Sequence, residues 1–153
     1  MFGAPPSTPT DDLLPWSWAS ERLATSRNYW LTTVRAGGQP NARPVWGTWS
    51  EYGFSFSTGG RAAANVAGNS ACTVHLEDGW ECLIVEGRAE VVTDPTAREL
   101  FCAAYNTKYD WSLHLTPAGV GDDDGADGPM LLVRPEVAYG WLGNLARATR
   151  WRW

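Results

Sequence analysis

Short β-patterned segments, each closed by a turn signal, recur along most of this chain and restrict it to a mostly antiparallel sheet. Leu31-Thr32-Thr33-Val34-Arg35 is a β-branched run that leads into Ala36-Gly37-Gly38-Gln39-Pro40, a turn by composition. A second strand is predicted over Ala42 to Ser50, although Pro44 and Gly47 lie inside it. Proline cannot donate to a ladder, and a glycine within a strand marks a bulge or a close approach by something else. Glu51-Tyr52-Gly53 turns the chain into a third strand, Phe54 to Thr58, with Phe54 and Phe56 on one face and Ser55 and Ser57 on the other. Further strands are predicted over Ala71 to Glu77, with Cys72, Val74 and Leu76 inward, and over Glu81 to Thr93, where Gly87 marks a bulge or bend. Met130 to Arg134 and Val137 to Leu142 are the last two. With no internal repeat, this order points to a barrel or closed sheet with helices at its sides.

Three helices are expected. The first has Pro15 in its first turn and Asp11 and Asp12 at the positive end of its dipole; Trp16, Ala19, Leu23 and Ala24 share a face, and Asn28 or Tyr29 ends it. Gly59-Gly60 opens a short alanine-rich helix, Arg61 to Ala67, closed by Gly68-Asn69. Asp94-Pro95 starts the third, with Asp94 as N-cap, and Ala97, Leu100, Phe101, Ala104 and Tyr105 recur at helical spacing. The 153 residues suit one domain over 13–153, preceded by a Pro-, Ser- and Thr-rich segment, 1–12, expected to be flexible.

A net charge of −5 argues against nucleic acid as a partner. Lys108 is the sole lysine, and the remaining cations are arginines, which suit phosphate, carboxylate and flat π systems. Ten tryptophans imply either large core anchors or a surface that stacks on flat ligands or a partner chain. Cys72, Cys82 and Cys102 form no C-x-x-C pair and read as small buried hydrophobes in a reducing compartment. The first residues carry no signal-peptide pattern and no apolar run is long enough for a bilayer, so a cytoplasmic protein without membrane contact is expected. His75 and His114 lack a third ligand, and Asp122-Asp123-Asp124 lacks EF-hand spacing, so no metal site is expected. There is no G-x-S-x-G and no Cys/His arrangement to support a hydrolase, and no obligatory acid–base side chain is assigned.

Three segments carry candidate chemistry, each with a plain structural alternative. In Ser57-Thr58-Gly59-Gly60-Arg61, two glycines, two hydroxyls, an arginine and a helix N-terminus could cradle a phosphate; otherwise the segment is a strand-to-helix connection. It is not a Walker loop, since no Gly-Lys-Ser/Thr follows. In Arg43-Pro44-Val45-Trp46-Gly47-Thr48-Trp49, a broken ladder leaves backbone groups for a planar heterocycle; otherwise it is an edge strand guarded by its proline. Thr149-Arg150-Trp151-Arg152-Trp153 is either a ligand wall reached across a dimer or a tail packed on its own domain.

In order along the chain come Tyr29-Trp30-Leu31-Thr32-Thr33-Val34, Gly38-Gln39-Pro40, Arg43-Pro44-Val45-Trp46, Phe56-Ser57-Thr58-Gly59, Asn65-Val66-Ala67, Val74-His75-Leu76-Glu77, Val85-Glu86-Gly87, Lys108-Tyr109, Val133-Arg134-Pro135 and the Thr149 to Trp153 ending. This ordered set resembles the pyridoxamine 5′-phosphate oxidase-like, FMN-binding split-barrel superfamily, and most of all its flavin/deazaflavin oxidoreductase branch. The resemblance implies a mainly β (α+β) fold: a six- to seven-stranded antiparallel split β-barrel with flanking helices. It implies a homodimer with a cofactor, coenzyme F-420 or FMN, at the interface, and hydride transfer with a small-molecule substrate. The cofactor-binding residues it implies, together with the segments above, are Arg43, Pro44, Val45, Trp46, Thr48, Ser57, Thr58, Arg61, Asn65, Arg150 and Trp151. The chain departs from the family at Ala62, where a phosphate-holding lysine is expected, so Ala62→Lys should tighten binding. Glu81-Cys82-Leu83 also stands where the true pyridoxamine phosphate oxidases carry a glutamine, which speaks against pyridoxine metabolism. A non-catalytic cofactor, haem or pigment carrier on the same fold is the alternative.

Overall fold

Every strand pairing is antiparallel, and one long strand organises the rest. The computed structural model describes residues 13–153, so Asp11, Asp12 and the 1–12 segment lie outside the described residues. In chain order the elements are α1 (Trp16–Thr25), β1 (Tyr29–Val34), β2 (Pro40–Val45), β3 (Thr48–Ser50), β4 (Gly53–Ser57), α2 (Gly60–Gly68), β5 (Ala71–His75) and β6 (Glu81–Val91). Then follow α3 (Pro95–Tyr109), β7 (His114–Leu115), β8 (Val120–Gly121), β9 (Asp127–Gly128), β10 (Met130–Leu142) and β11 (Ala146–Arg152). The main sheet has eight strands in the order β2-β1-β5-β6-β10-β4-β3, with β11 branching from β10; β7, β8 and β9 form a small second sheet. β10 pairs with β6 from Leu131 to Leu142, with β4 through its first half and with β11 through its second. That fork makes the curled sheet a split barrel of the α+β class, flanked by three helices.

The count exceeds the expected six or seven for identifiable reasons. The Ala42 to Ser50 segment divides at Trp46-Gly47 into β2 and β3, which pair with different neighbours, β1 and β4. The two expected last strands are one, β10. Pro135 has no N–H to give the ladder, and the register absorbs it by slipping one residue, from Pro135↔Gly87 to Val137↔Glu86. The extruded Glu136 meets Arg88 at 3.1 Å. The bulge therefore lies opposite Gly87 rather than at it. Gly87 serves close approach instead, since a Cβ there would stand 2.1 Å from the Arg134 carbonyl oxygen. The C-terminal tail supplies the eighth strand.

Alternation sets the core. Tyr29 and Leu31, Phe54 and Phe56, Val74, and Leu131 and Val133 point into one cluster with Ala62 and Val66 of α2. A second cluster joins Leu14, Ala19 and Leu23 to Leu83, Val85, Ala138 and Trp151. Around it, Trp16 meets Trp153 edge-on at 4.7 Å and Trp151 at 5.5 Å, while Trp18 and Trp49 complete a group of five indoles. Half of the ten tryptophans thus contact one another within the chain. Trp151, placed by the sequence reading at a ligand wall, is 1% exposed in this cluster. The Thr149 hydroxyl next to it accepts the Leu14 N–H at 2.9 Å, so the ending packs on its own domain.

The helices differ from expectation in detail. Pro15 is the N-cap of α1, which stops at Thr25 because Tyr29 is already an inward residue of β1; Ala24 faces out. On α3, Asp94 caps Ala97 N–H at 3.0 Å as expected, but the buried stripe is Phe101, Cys102 and Tyr109. Leu100 is 68% exposed, since the helix meets the domain about one position round from the expected stripe. In the acidic loop, the Asp122 carboxylate accepts the N–H groups of Asp124 and Ala126 and the Trp111 indole N–H. These bonds hold its pKa below the usual carboxylate value. No group of three metal-ligating side chains occurs among the described residues, and none of their helices is long and apolar enough to cross a membrane.

Candidate functional site

The site grows from the break in the β2–β3 segment. Among the described residues β2 ends the main sheet and pairs only with β1, which leaves its outer edge without a strand of these residues beside it, a place where Pro44 is tolerated. At Gly47 the chain crosses to β4, passing so close that a Cβ would lie 2.5 Å from both the Ser55 carbonyl oxygen and the Phe54 ring. The residue before it, Trp46, cannot follow either ladder and turns its indole aside. There it lies parallel to Tyr109, with ring centroids 4.7 Å apart and planes 4° apart, and its N–H donates to Asn28 Oδ1 at 3.1 Å. Tyr105 and Trp111 approach the same indole at 6.4 and 5.9 Å.

A cavity of about 480 Å³ opens against this strand, lined by Asn28, Arg43, Pro44, Val45, Trp46, Ser57, Glu77 and Tyr105. Five of the residues singled out in the sequence therefore share one pocket, and a sixth, Thr58, joins them because Arg43 Nη1 donates to its hydroxyl at 3.4 Å. Ser57 donates to the Pro129 carbonyl at 3.2 Å, which leaves its oxygen lone pairs available. α2 begins two residues beyond Thr58 with Gly59 as N-cap and no side chain capping it, so its first N–H groups remain available to an acceptor. Arg61 is exposed in that first turn, and neither it nor Arg43 forms an ion pair with the described residues. The pocket wall also carries the Glu77 side chain, which accepts from Asn28 Nδ2 at 3.3 Å. Burial, together with Tyr109 and Asp122, pushes the Tyr105 hydroxyl up to about 12, so it is a protonated donor at neutral pH.

Other predicted residues lie elsewhere. Thr48 faces the neighbouring clefts beside Trp49. Asn65 is buried, and its amide donates to Thr33 Oγ1 at 2.9 Å, a bond that ties α2 to β1 inside the core. Ala62, the position of the family lysine, is 1% exposed within the main cluster, so an added lysine would enter packed core rather than the cavity. Arg150 is exposed on β11 opposite Tyr139, and neither it nor the buried Trp151 lines this pocket. Asn28, Glu77 and Tyr105 were not singled out for the site. Glu77 closes the Val74-His75-Leu76-Glu77 stretch that carries part of the family resemblance, and Tyr105 belongs to a helical repeat, but nothing local in the sequence joins either to β2.

A family model described as pyridoxamine 5′-phosphate oxidase matches residues 19–141. No curated protein matches the chain. Among solved structures, the chain is similar to an F-420 reductase at 28% identity and a TM-score of 0.58, over 77% of this chain and 94% of that one. It shares its fold with a FAD-binding protein from Mesorhizobium loti (18% identity, TM-score 0.64, 90% and 93% covered). It also shares it with the heme-storage protein HutZ from Vibrio cholerae (18% identity, TM-score 0.62, 81% and 91% covered). The matched segment begins in α1 and ends in β10, taking in the whole pocket and every strand of the main sheet but β11, and the chain belongs to the pyridoxamine 5′-phosphate oxidase family.

Proposed function

We propose that the chain is a flavin- or deazaflavin-dependent oxidoreductase that binds FMN or coenzyme F-420 in the Arg43–Trp46 pocket. The observation that carries this reading is the pocket's polarity. Arg43, with no acidic partner among the described residues, stands with Ser57, Thr58 and the uncapped start of α2. The fixed indole of Trp46 stands beside them. Such a site suits a ligand with an anionic tail and a flat ring. Arg43, Ser57, Thr58 and Arg61 would hold the phosphate, and Trp46, Val45 and Tyr105 would bound the ring. When bound, the cofactor supplies the hydride chemistry, while the protein binds, orients and keeps water from the ring. The similarity to an F-420 reductase supports the deazaflavin form. The reading also takes the protein as a cytoplasmic homodimer acting on a small molecule. Exposed Tyr52, Val91 and Leu100, which surround one cleft, offer apolar area for a second copy.

The test is titration of the purified protein with FMN and with coenzyme F-420, read by tryptophan fluorescence, with light scattering for the dimer. Arg43→Ala should weaken the preferred cofactor by roughly 1–3 kcal/mol, the scale of a hydrogen bond to a charged group. The loss should be larger at low salt. Unchanged affinity in the variant would move the phosphate site elsewhere.

A second reading, a haem carrier, has one observation in its favour. His75 Nδ1 lies 2.8 Å from the Leu76 carbonyl, which can only accept, so this contact orients the ring through Nδ1, and Nε2 would be the nitrogen to hold a haem iron. A Soret band that appears with added hemin and is lost in His75→Ala would favour it.

A further inference from the structure

We propose that Lys108 and Tyr109 are positioning residues for this pocket, holding from the last turn of α3 the Gly47 peptide and the Trp46 ring where neither sheet edge reaches them.

The peptide at Gly47 is buried, and it falls between β2, which pairs with β1, and β3, which pairs with β4. No ladder serves it, yet a buried peptide needs partners. The two side chains supply them. Gly47 N–H donates to Tyr109 Oη at 3.0 Å. The Tyr109 hydroxyl proton is placed between the carbonyls of Gly47, at 2.9 Å, and Arg27, at 2.8 Å. Lys108 Nζ donates to the Gly47 carbonyl at 3.1 Å and to Tyr29 Oη at 2.6 Å. Tyr109 also provides the face on which the Trp46 ring rests. One helix turn therefore fixes both the backbone and the indole of the pocket wall, through two adjacent residues whose side chains both reach the Gly47 peptide.

The lysine makes the clamp sensitive to protonation. Its amine faces the rings of Tyr29 on β1 and Tyr109 on its own helix, 4.6 and 5.3 Å away. Arg27 brings a second cation to the same Tyr109 ring, its guanidinium 5.6 Å from the ring. On its open side lie Ala24, Thr48, Trp49, Ala103, Ala104 and Thr107, none of them titratable. No carboxylate among the described residues compensates the burial, which pushes the amine down to about 8. Loss of its charge turns a charge-assisted bond to the Gly47 carbonyl into an ordinary one.

The inference rests on the functional reading only for its effect on ligand, and the two are tested separately. Near-ultraviolet circular dichroism of the ligand-free protein reads the Trp46–Tyr109 pair, with Trp46→Phe to identify the band; fluorescence quenching reads FMN binding. Lys108→Met and Tyr109→Phe should shift the band and weaken FMN at least tenfold at pH 7. Lys108→Arg should retain both. In the wild type the band should change with a midpoint near pH 8, and Lys108→Arg should show no such change. A folded Lys108→Met with the wild-type band and pH profile overturns the proposal. If Lys108→Met does not fold, the wild-type profile against Lys108→Arg decides: a shared profile overturns it, a profile confined to the wild type upholds it. Failure of the wild type to bind FMN counts against the functional reading alone.

Discussion

Ala62 fixes a limit on what this pocket can contain. Its methyl group packs in the cluster that includes Leu31, Val66 and Val74. Ala62→Lys must drive four methylenes and an amine through that packing, so it should destabilise the fold by about 1–3 kcal/mol, the usual cost of overfilling a core. A lower urea midpoint, without the tighter FMN binding that the family pattern implies, is the expected result. Asn65 has the same lesson from the other side. A lone amide in an alanine-rich helix looks like a ligand contact, but its partner, Thr33, arrives from a distant strand. Arg43, Ser57 and Trp46 were legible because each sits beside a proline, a glycine or a helix start, features with local consequences for the backbone. Tyr105 was legible only as a member of a helical repeat, since its role depends on where α3 comes to rest against β2.

Among the elements, β11 shows how a strand can hide. In Ala146-Arg147-Ala148-Thr149-Arg150-Trp151-Arg152 only Thr149 and Trp151 face inward, and three arginines dominate the composition. One large inward residue gives no alternation to count, so the sequence suggests a ligand wall or a packed tail rather than a strand. Trp151→Ala should cost about 3–5 kcal/mol, the range for a buried aromatic cut back to alanine. Deleting residues 150–153 should lower the melting temperature of the ligand-free protein by at least as much as that single change. A deletion that leaves stability intact while weakening cofactor binding would restore the ligand-wall reading. The β2–β3 division was half legible: Pro44 and Gly47 announced an irregular strand, but the change of neighbour at the glycine depends on sheet order, which no local signal encodes.

For the whole molecule, burial of Lys108 links stability to pH with a definite sign. The folded state releases the lysine's proton near pH 8, the unfolded state near 10.5. Between those values the unfolded chain binds more protons, so this group adds stability as pH rises from about 8 toward 10.5. Tyr29 and Tyr105 act in the opposite sense above about 10, because burial raises their pKa values and only the unfolded chain ionises readily there. Subtracting urea midpoints of Lys108→Met from those of the wild type at pH 7, 9 and 10 isolates the lysine. The difference should shift in favour of the wild type as pH rises. A difference independent of pH would show that the amine keeps an ordinary affinity for its proton.

The forked strand β10 also bears on the order in which this molecule can assemble. β1 and β2 are joined by a tight turn and can meet early, as can β5 and β6. β4, β6 and β11 all depend on β10, whose first residues follow the end of β6 only after α3 and the small second sheet. During synthesis most of the sheet is therefore finished before the strand that unites it has emerged, and the β6 and β4 edges stand open to other chains in that interval. Pairing so distant in sequence is slow to form, so the barrel should close late and as one event, with the milliseconds-to-seconds refolding typical of non-local β topologies.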